Sequence, residues 1–250
     1  MITRKATISI IIAVYNGEKT LGTALESVKR QKYEDWECII IDGKSKDNTI
    51  TIANQYALAD KRFKIISEVD DGVYDAFNKG WERAEGEWIY YLGCDDELLA
   101  NGLLAIANEI DDSCEIIYGG IVRKYRSGRK KESPAGYWAD TMPFHLPCSH
   151  QGMIMKKNLI KSLGGFNLAF PILADFDLIN HAYYNGVKTK RTDELIAIFS
   201  LGGMSSDSIK SLGERYKILR KYNTPFIPTV IHTIYMTIFF ILLKIKHRFD

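Results

Sequence analysis

"TISIIIAVYNGEKTLGTALESVKRQ", residues 7–31, joins two different hydrophobic patterns within one short stretch. Residues 7–14 are rich in β-branched apolar side chains on both faces, as in a parallel strand covered by helices on each side. After Tyr15, Asn16 and Gly17, the apolar residues Leu21, Ala24, Leu25 and Val28 recur at helical spacing, so a helix returns the chain to a second strand. That strand is "WECIIID" (36–42), ending on Asp42, and "GKSKDNT" (43–49) is a turn in which Ser45 or Asp47 can cap the helix "TITIANQYA". "FKIISE" (63–68) reads as a third strand, "DGVYDAFNKGWERA" (71–84) as a turn and helix, and "EWIYYLG" (87–93) as a fourth strand. This alternation predicts an α/β fold with a doubly wound parallel sheet, whose ligands gather beyond the carboxyl ends of the strands. Tyr15, Asp42, Glu68 and Asp95 all stand at those ends.

Beyond residue 100 the pattern loosens into a helix (101–110), a strand (114–122), a basic turn (125–131) and a Gly/Pro-punctuated stretch to residue 149. With 250 residues, 46% of them hydrophobic, the chain can bury the core of one large α/β domain. Cys38, Cys94, Cys114 and Cys148 lack metal-ligand spacing and are expected as thiols in a reducing compartment. No charged segment followed by a signal-like apolar run opens the sequence, which predicts a cytosolic location or the cytosolic face of a membrane. An NAD-type oxidoreductase is disfavoured, because no G-x-G-x-x-G follows the first strand.

Two carboxylate groups stand out. "YYLGCDDELL" (90–99) runs a buried strand into Asp95 and Asp96, which form either a solvated loop or a hard-oxygen site for Mg²⁺ or Mn²⁺. "ILADFDL" (172–178) supplies Asp175 and Asp177 ahead of a helical pattern, either as caps or as a general base with a supporting acceptor.

These segments, with "SHQGMIMKK", "GGFN" and "FSLGGMSS" in the same order and spacing, make residues 7–206 resemble a family 2 glycosyltransferase. The likeness extends to bacterial enzymes that build capsule, O-antigen or colanic-acid-type polysaccharides. It implies an inverting enzyme with a GT-A fold, a Rossmann-like mostly parallel sheet flanked by helices, acting on a nucleotide-sugar donor. By that resemblance Asp42 recognises the nucleobase and Tyr15 lines it, the alternatives being a helix-capping acid and a packing aromatic. Lys79, flanked by Asp71 and Asp75, neutralises the diphosphate or is simply solvated. His150 and Gln151 lie beside the donor, and Ser205 in the glycine-rich 201–206 segment closes over the diphosphate or belongs to a plain turn. Asp95 and Asp96 match the Asp-X-Asp region, with Gly93 where the first acid usually stands, which leaves open which carboxylate ligates the metal. Asp175 matches the base, Ala174 stands where many members have Glu, and Asp177 gives support.

Residues 207–250 read as a basic and hydrophobic helical tail following a 1–206 catalytic domain. From Lys210 to Arg248 eight basic residues face the single acid Glu214, a charge of +7 that leaves about −5 on the rest. Residues 223–243 hold no charged side chain, but Pro225 and Pro228 shorten the expected helix and Thr229, Thr233, Thr237 and His232 form a polar stripe. The expectation is a helix lying in the membrane interface, the alternative a core helix. The predicted activity is therefore transfer of one sugar, from a UDP-linked donor, to a polyprenyl-diphosphate-linked saccharide at the cytoplasmic face of the inner membrane, with no nucleic-acid partner. A processive synthase is disfavoured by the missing "QxxRW" and multiple spanning helices. A nucleotide-binding partner subunit without catalysis is kept open by Gly93.

Overall fold

A computed structural model of the chain describes residues 7–201 and 209–246. The opening stretch forms β1 (Ile8–Val14) and α1 (Leu21–Lys29), followed by β2 (Trp36–Asp42), α2 (Thr49–Ala59), β3 (Phe63–Ser67), α3 (Val73–Arg83) and β4 (Trp88–Gly93). These strands lie in the order β3-β2-β1-β4, all parallel. Every residue of β1 and β2 is buried because the pleat sends alternate side chains into two cores. Ile8, Ile10, Ile12 and Val14 pack with α1 and α2, while Ile11 and Ala13 pack with α3. That last contact is so close that a Cβ at Gly80 would stand 2.3 Å from Ile11 Cγ2, so only glycine fits.

The second half contributes β5 (Glu97–Leu98), α4 (Gly102–Ala107), β6 (Ile116–Lys124), β7 (Lys130–Ser133), α5 (Trp138–Thr141), a 3-10 turn (His150–Gly152), β8 (Met153–Lys156), α6 (Lys157–Leu163), α7 (Ala174–Tyr184) and β9 (Thr189–Ser200). β8 inserts between β4 and β6, antiparallel to both; β9 runs parallel to β6, and β5 antiparallel to β9. The result is a mixed sheet of nine strands with helices on both faces. Its parallel half is the one legible from the opening alternation, and the stretch read as irregular carries only the short β7 and α5.

Two helices follow, α8 (Ile209–Lys221) and α9 (Phe226–Lys246). α8 is tied to α7: Glu214 Oε2 accepts the N–H groups of Ile172 (3.1 Å) and Leu173 (2.9 Å) at the start of α7. Lys221 Nζ pairs with the buried carboxylate of Asp177 at 2.8 Å. A boundary after residue 206 therefore divides elements that pack together. Asp177 neither caps α7 nor faces a cleft; it anchors α8, and Glu214 fixes the chain just before α7.

The expected shortening of the C-terminal helix does not occur. Pro228 sits in the first turn of α9, where a missing N–H leaves no gap in the ladder, and the helix runs for 21 residues. Thr229, Thr233 and Thr237 each donate to the carbonyl four residues back at 2.8 Å, so their hydroxyls are satisfied within the helix. Thr229 is buried and His232 packs on Phe144 and His145. Ile227, Ile231, Ile234, Tyr235 and Ile238 are instead more than half exposed. Among the described residues no helix is long and apolar enough to cross a membrane.

Candidate active site

The loops after β1 and β2 are laced together at the carboxyl edge of the sheet. Asn16, in the left-handed region at φ 51°, receives Lys46 N–H on its Oδ1 (2.8 Å) and gives its own N–H to Ser45 Oγ (2.8 Å). Asp42 is fully buried and accepts the N–H groups of Lys44 (3.1 Å) and Ser45 (3.2 Å) and the hydroxyl of Ser67 (2.7 Å). The carboxylate thus holds the turn after β2 and does not cap α2, which begins only at Thr49. Tyr15 is 58% exposed, so packing is not its role.

Lys79 does not stand free. Its ammonium pairs with Asp75 (2.7 Å) and donates to the Val69 carbonyl (2.7 Å), while Asp75 also accepts the N–H of Asp71 (3.0 Å). These contacts form a clasp that fixes the 69–72 turn on α3. Asp71 and Asp75 belong to the same clasp.

Asp95 and Asp96 have parted company. Asp96 points inward and is 1% exposed; Oδ1 accepts the Ser200 N–H and Oδ2 the Gln151 side-chain amide, both at 2.8 Å. Burial pushes its carboxyl up to about 6, the Ser200 N–H opposing that rise and the Asp95 charge adding to it. Gly93 is part of this arrangement, because a Cβ there would lie 2.5 Å from Asp96 Oδ2. Asp95 is exposed, and its carboxylate takes no hydrogen bond or ion pair from the described residues. Of the two expected metal ligands, only Asp95 is open. Among the described residues no three His, Cys, Asp or Glu side chains converge on a cation position. A divalent cation would fit here in the manner common for Mg²⁺, with one protein carboxylate and the remaining oxygens from a substrate diphosphate and water.

A cleft of about 160 Å³ opens between Tyr74, Asp95, Asp96, His150, Gln151 and Ser200. The 3-10 turn before β8 carries His150 and Gln151 to its wall, where Tyr90, buried on β4, donates its hydroxyl to the Gln151 carbonyl. Gln151 is 3% exposed and its Oε1 has no partner among the described residues. Asp175, in the first turn of α7, accepts Tyr74 Oη–H (3.1 Å) and Phe176 N–H (2.7 Å) on Oδ1 and His150 Nδ1–H (3.2 Å) on Oδ2. Burial alone would raise this carboxyl, but His150, the Phe176 N–H and Tyr74 together hold it below the usual range. Its side chain keeps 17% exposure. It also lines a second cavity, of about 340 Å³, that shares His150 and Gln151 with the first. Asp175 therefore stands with the turn carrying "SHQ", as an ionised acceptor lining the second cavity. Ser205 lies outside the described residues. Tyr74 and Ser200 were not singled out by sequence; Tyr74 hides in an ordinary helical stripe, and Ser200 acts through its backbone N–H.

The α/β fold, a mixed sheet with helices on both faces and carboxylates beyond β4 and on α7, is that of the GT-A class. The family model of Glycosyl transferase family 2 matches residues 9–169, and the chain belongs to that family. A PGL/p-HBAD biosynthesis glycosyltransferase of Mycobacterium tuberculosis is 31% identical over 204 residues, 79% of this chain and 78% of that protein. The putative glycosyltransferase EpsH of Bacillus subtilis is 40% identical over 89 residues, 36% of this chain and 26% of that one. Among solved structures, S. aureus TarS 1-349 in complex with UDP superimposes with a TM-score of 0.68 at 19% identity, over 86% of this chain and 65% of that chain. Against a longer TarS structure the chain spans only 39%. The mannosyltransferase PcManGT of Pyrobaculum calidifontis, in complex with GDP-Man and Mn²⁺, gives a TM-score of 0.68 at 15% identity, over 93% and 70%. These structural likenesses carry the fold.

Proposed function

We propose that the protein is an inverting glycosyltransferase that moves one sugar from a UDP-linked donor to a polyprenyl-diphosphate-linked saccharide during surface-polysaccharide synthesis. The observation that carries this is Asp175, an ionised, partly exposed carboxylate that lines the second cavity and is held by Tyr74 and His150, two residues that line the Asp95 cleft. In the proposed step Asp175 takes the proton of an acceptor hydroxyl, whose oxygen bonds to the anomeric carbon as the bond from that carbon to the diphosphate breaks. The electron pair leaves with the nucleoside diphosphate. Asp95 would hold Mg²⁺ or Mn²⁺ together with that diphosphate, and a cation so placed offsets the charge of the leaving group. Asp96 acts indirectly, fixing the β4 end against Gln151 and Ser200. Tyr15 and the loop organised by Asp42 are assigned to the nucleotide, with Ser205 as a further diphosphate contact.

We assign α9 to the cytoplasmic face of the inner membrane, lying in the interface on its row of exposed isoleucines with anionic lipid meeting the basic residues near it. A catalytically inert partner subunit loses its motive once Gly93 is explained by the inward turn of Asp96 rather than by decay of the site.

The test is a panel of nucleotide sugars with Mn²⁺, read first as nucleotide release without acceptor. Product from a lipid-linked saccharide is then read by NMR for anomeric configuration. Release from a UDP-sugar and an inverted product are expected. Release from no donor, or retention of configuration, would remove the assignment.

A further inference from the structure

The larger cavity, which holds Asp175, adjoins the Asp95 cleft at His150, Gln151 and Phe199, and its charge is unbalanced. Arg123, Arg215 and Asp175 are its charged residues, so two guanidiniums face one carboxylate. Arg215 Nη1 donates to the Phe144 carbonyl (2.7 Å) and the guanidinium lies 4.2 Å from the centroid of the Phe176 ring, which leaves most of its N–H donors without a partner among the described residues. Arg123, exposed on β6, has no hydrogen bond or ion pair among the described residues. A guanidinium largely withdrawn from water, with no carboxylate in contact among the described residues, is a costly arrangement that an anionic ligand relieves. The planar fork of arginine matches phosphate oxygens two at a time. At about 340 Å³ the cavity also has the size of a small-molecule site.

Its position narrows the ligand further. His145, on the cavity wall, packs against His232 of α9 at 4.7 Å between ring centroids, and Phe144, which holds Arg215, packs against the same ring at 5.0 Å. The arginine end of the cavity is thus joined to the helix whose outer face carries Ile231, Ile234 and Ile238.

We propose that this cavity is an anion-recognising acceptor subsite, in which Arg215 and Arg123 grip a phosphate or diphosphate ester of the acceptor while Asp175 addresses its sugar hydroxyl. The assignment rests on the transferase function proposed above. It adds that the acceptor is recognised by its own charge, at a site separate from the donor diphosphate.

The full chain, saturated with UDP to fill the donor cleft, is titrated calorimetrically at low salt with inorganic pyrophosphate and with farnesyl diphosphate. Both probes should bind alongside UDP, and Arg123→Gln should weaken each by about 10- to 100-fold, the loss expected for a charge-assisted contact. Arg215→Lys keeps the charge but removes the fork and should cost about tenfold, with a thermal melt confirming the fold. Tighter binding of farnesyl diphosphate supports a lipid-borne phosphate; equal binding supports the phosphate subsite with no lipid contact. Displacement of UDP by the probes, or affinities untouched by both substitutions, would overturn the proposal. If UDP itself fails to bind, the donor assignment falls, and the same titration without nucleotide still decides the cavity.

Discussion

Asp175→Asn separates chemistry from architecture at the residue on which the mechanism turns. Asparagine keeps an oxygen for the Phe176 N–H and the Tyr74 hydroxyl, and its amide can donate to His150 Nδ1 once that ring changes tautomer. The native hydrogen bonds thus survive in number, and the stability change should stay within about 1 kcal/mol. The charge and the proton-accepting capacity do not survive. A positioned general base contributes roughly 10² to 10⁴-fold, so turnover with saturating acceptor should fall by that factor, about 3–5 kcal/mol in the barrier. UDP affinity should change little. Asp177→Asn is the matched control: it weakens the buried pair with Lys221 and should cost about 1.5–3 kcal/mol of stability, with turnover near normal below the melting transition. Turnover is read by nucleotide release with acceptor, stability by denaturant titration and donor affinity by calorimetry. Near-normal turnover in Asp175→Asn, or a larger catalytic loss at Asp177, would refute the assignment of the base.

Asp95→Asn should erase about tenfold or more of the Mn²⁺-dependent gain in UDP affinity, measured by calorimetry with and without the cation; an intact gain would place the metal elsewhere. Asp96 offers a pH test. Its pKa of about 6 in the fold exceeds the value near 3.9 of an unfolded chain, so the fold binds that proton more tightly and ionisation works against it. The penalty, about 3 kcal/mol, is complete above pH 6 and fades as pH falls toward 4. Asp96→Asn should therefore stabilise the protein at pH 8 and do little at pH 4.5, whereas an equal loss at both would contradict the inward placement. Replacing Ile231, Ile234 and Ile238 together by Ser should release the protein from anionic vesicles with little change in melting temperature, since these side chains are exposed. A lower melting temperature with vesicle binding intact would show that the face packs on protein.

The parallel half of the sheet was legible because β1 and β2 are apolar on both faces, a signal that needs no tertiary context. The acids at strand ends were legible for the same reason, since the topology alone brings them to one edge. Direction was not legible. Nothing in "CDD" says that Asp96 turns in and Asp95 out, because that depends on Ser200, 104 residues later, and on Gln151. Lys79 looked free because its partner Asp75, one turn away, also looked like a ligand. The threonine stripe of α9 looked like a water-facing surface, but hydroxyls that bond their own helix no longer need water and can lie against the domain. β8 was legible as the short strand "MIMKK", but four residues carry too little pattern to declare its antiparallel insertion.

That insertion imposes an order on synthesis. β4 acquires its second neighbour only when Met153–Lys156 arrive, some sixty residues behind it in the chain. Until then the growing polypeptide has a complete parallel half with Trp88, Ile89 and Tyr90 on an unpaired edge, the kind of surface that recruits a second nascent chain. Polypeptides interrupted between residues 100 and 150 should therefore accumulate as aggregates rather than as soluble half-domains, and ribosomal pausing in that window would be a hazard to yield. The strand that closes this edge also carries His150 and Gln151 to the cleft, so escape from aggregation is the first step in assembling a site that Asp175 and Ser200 complete only later in translation.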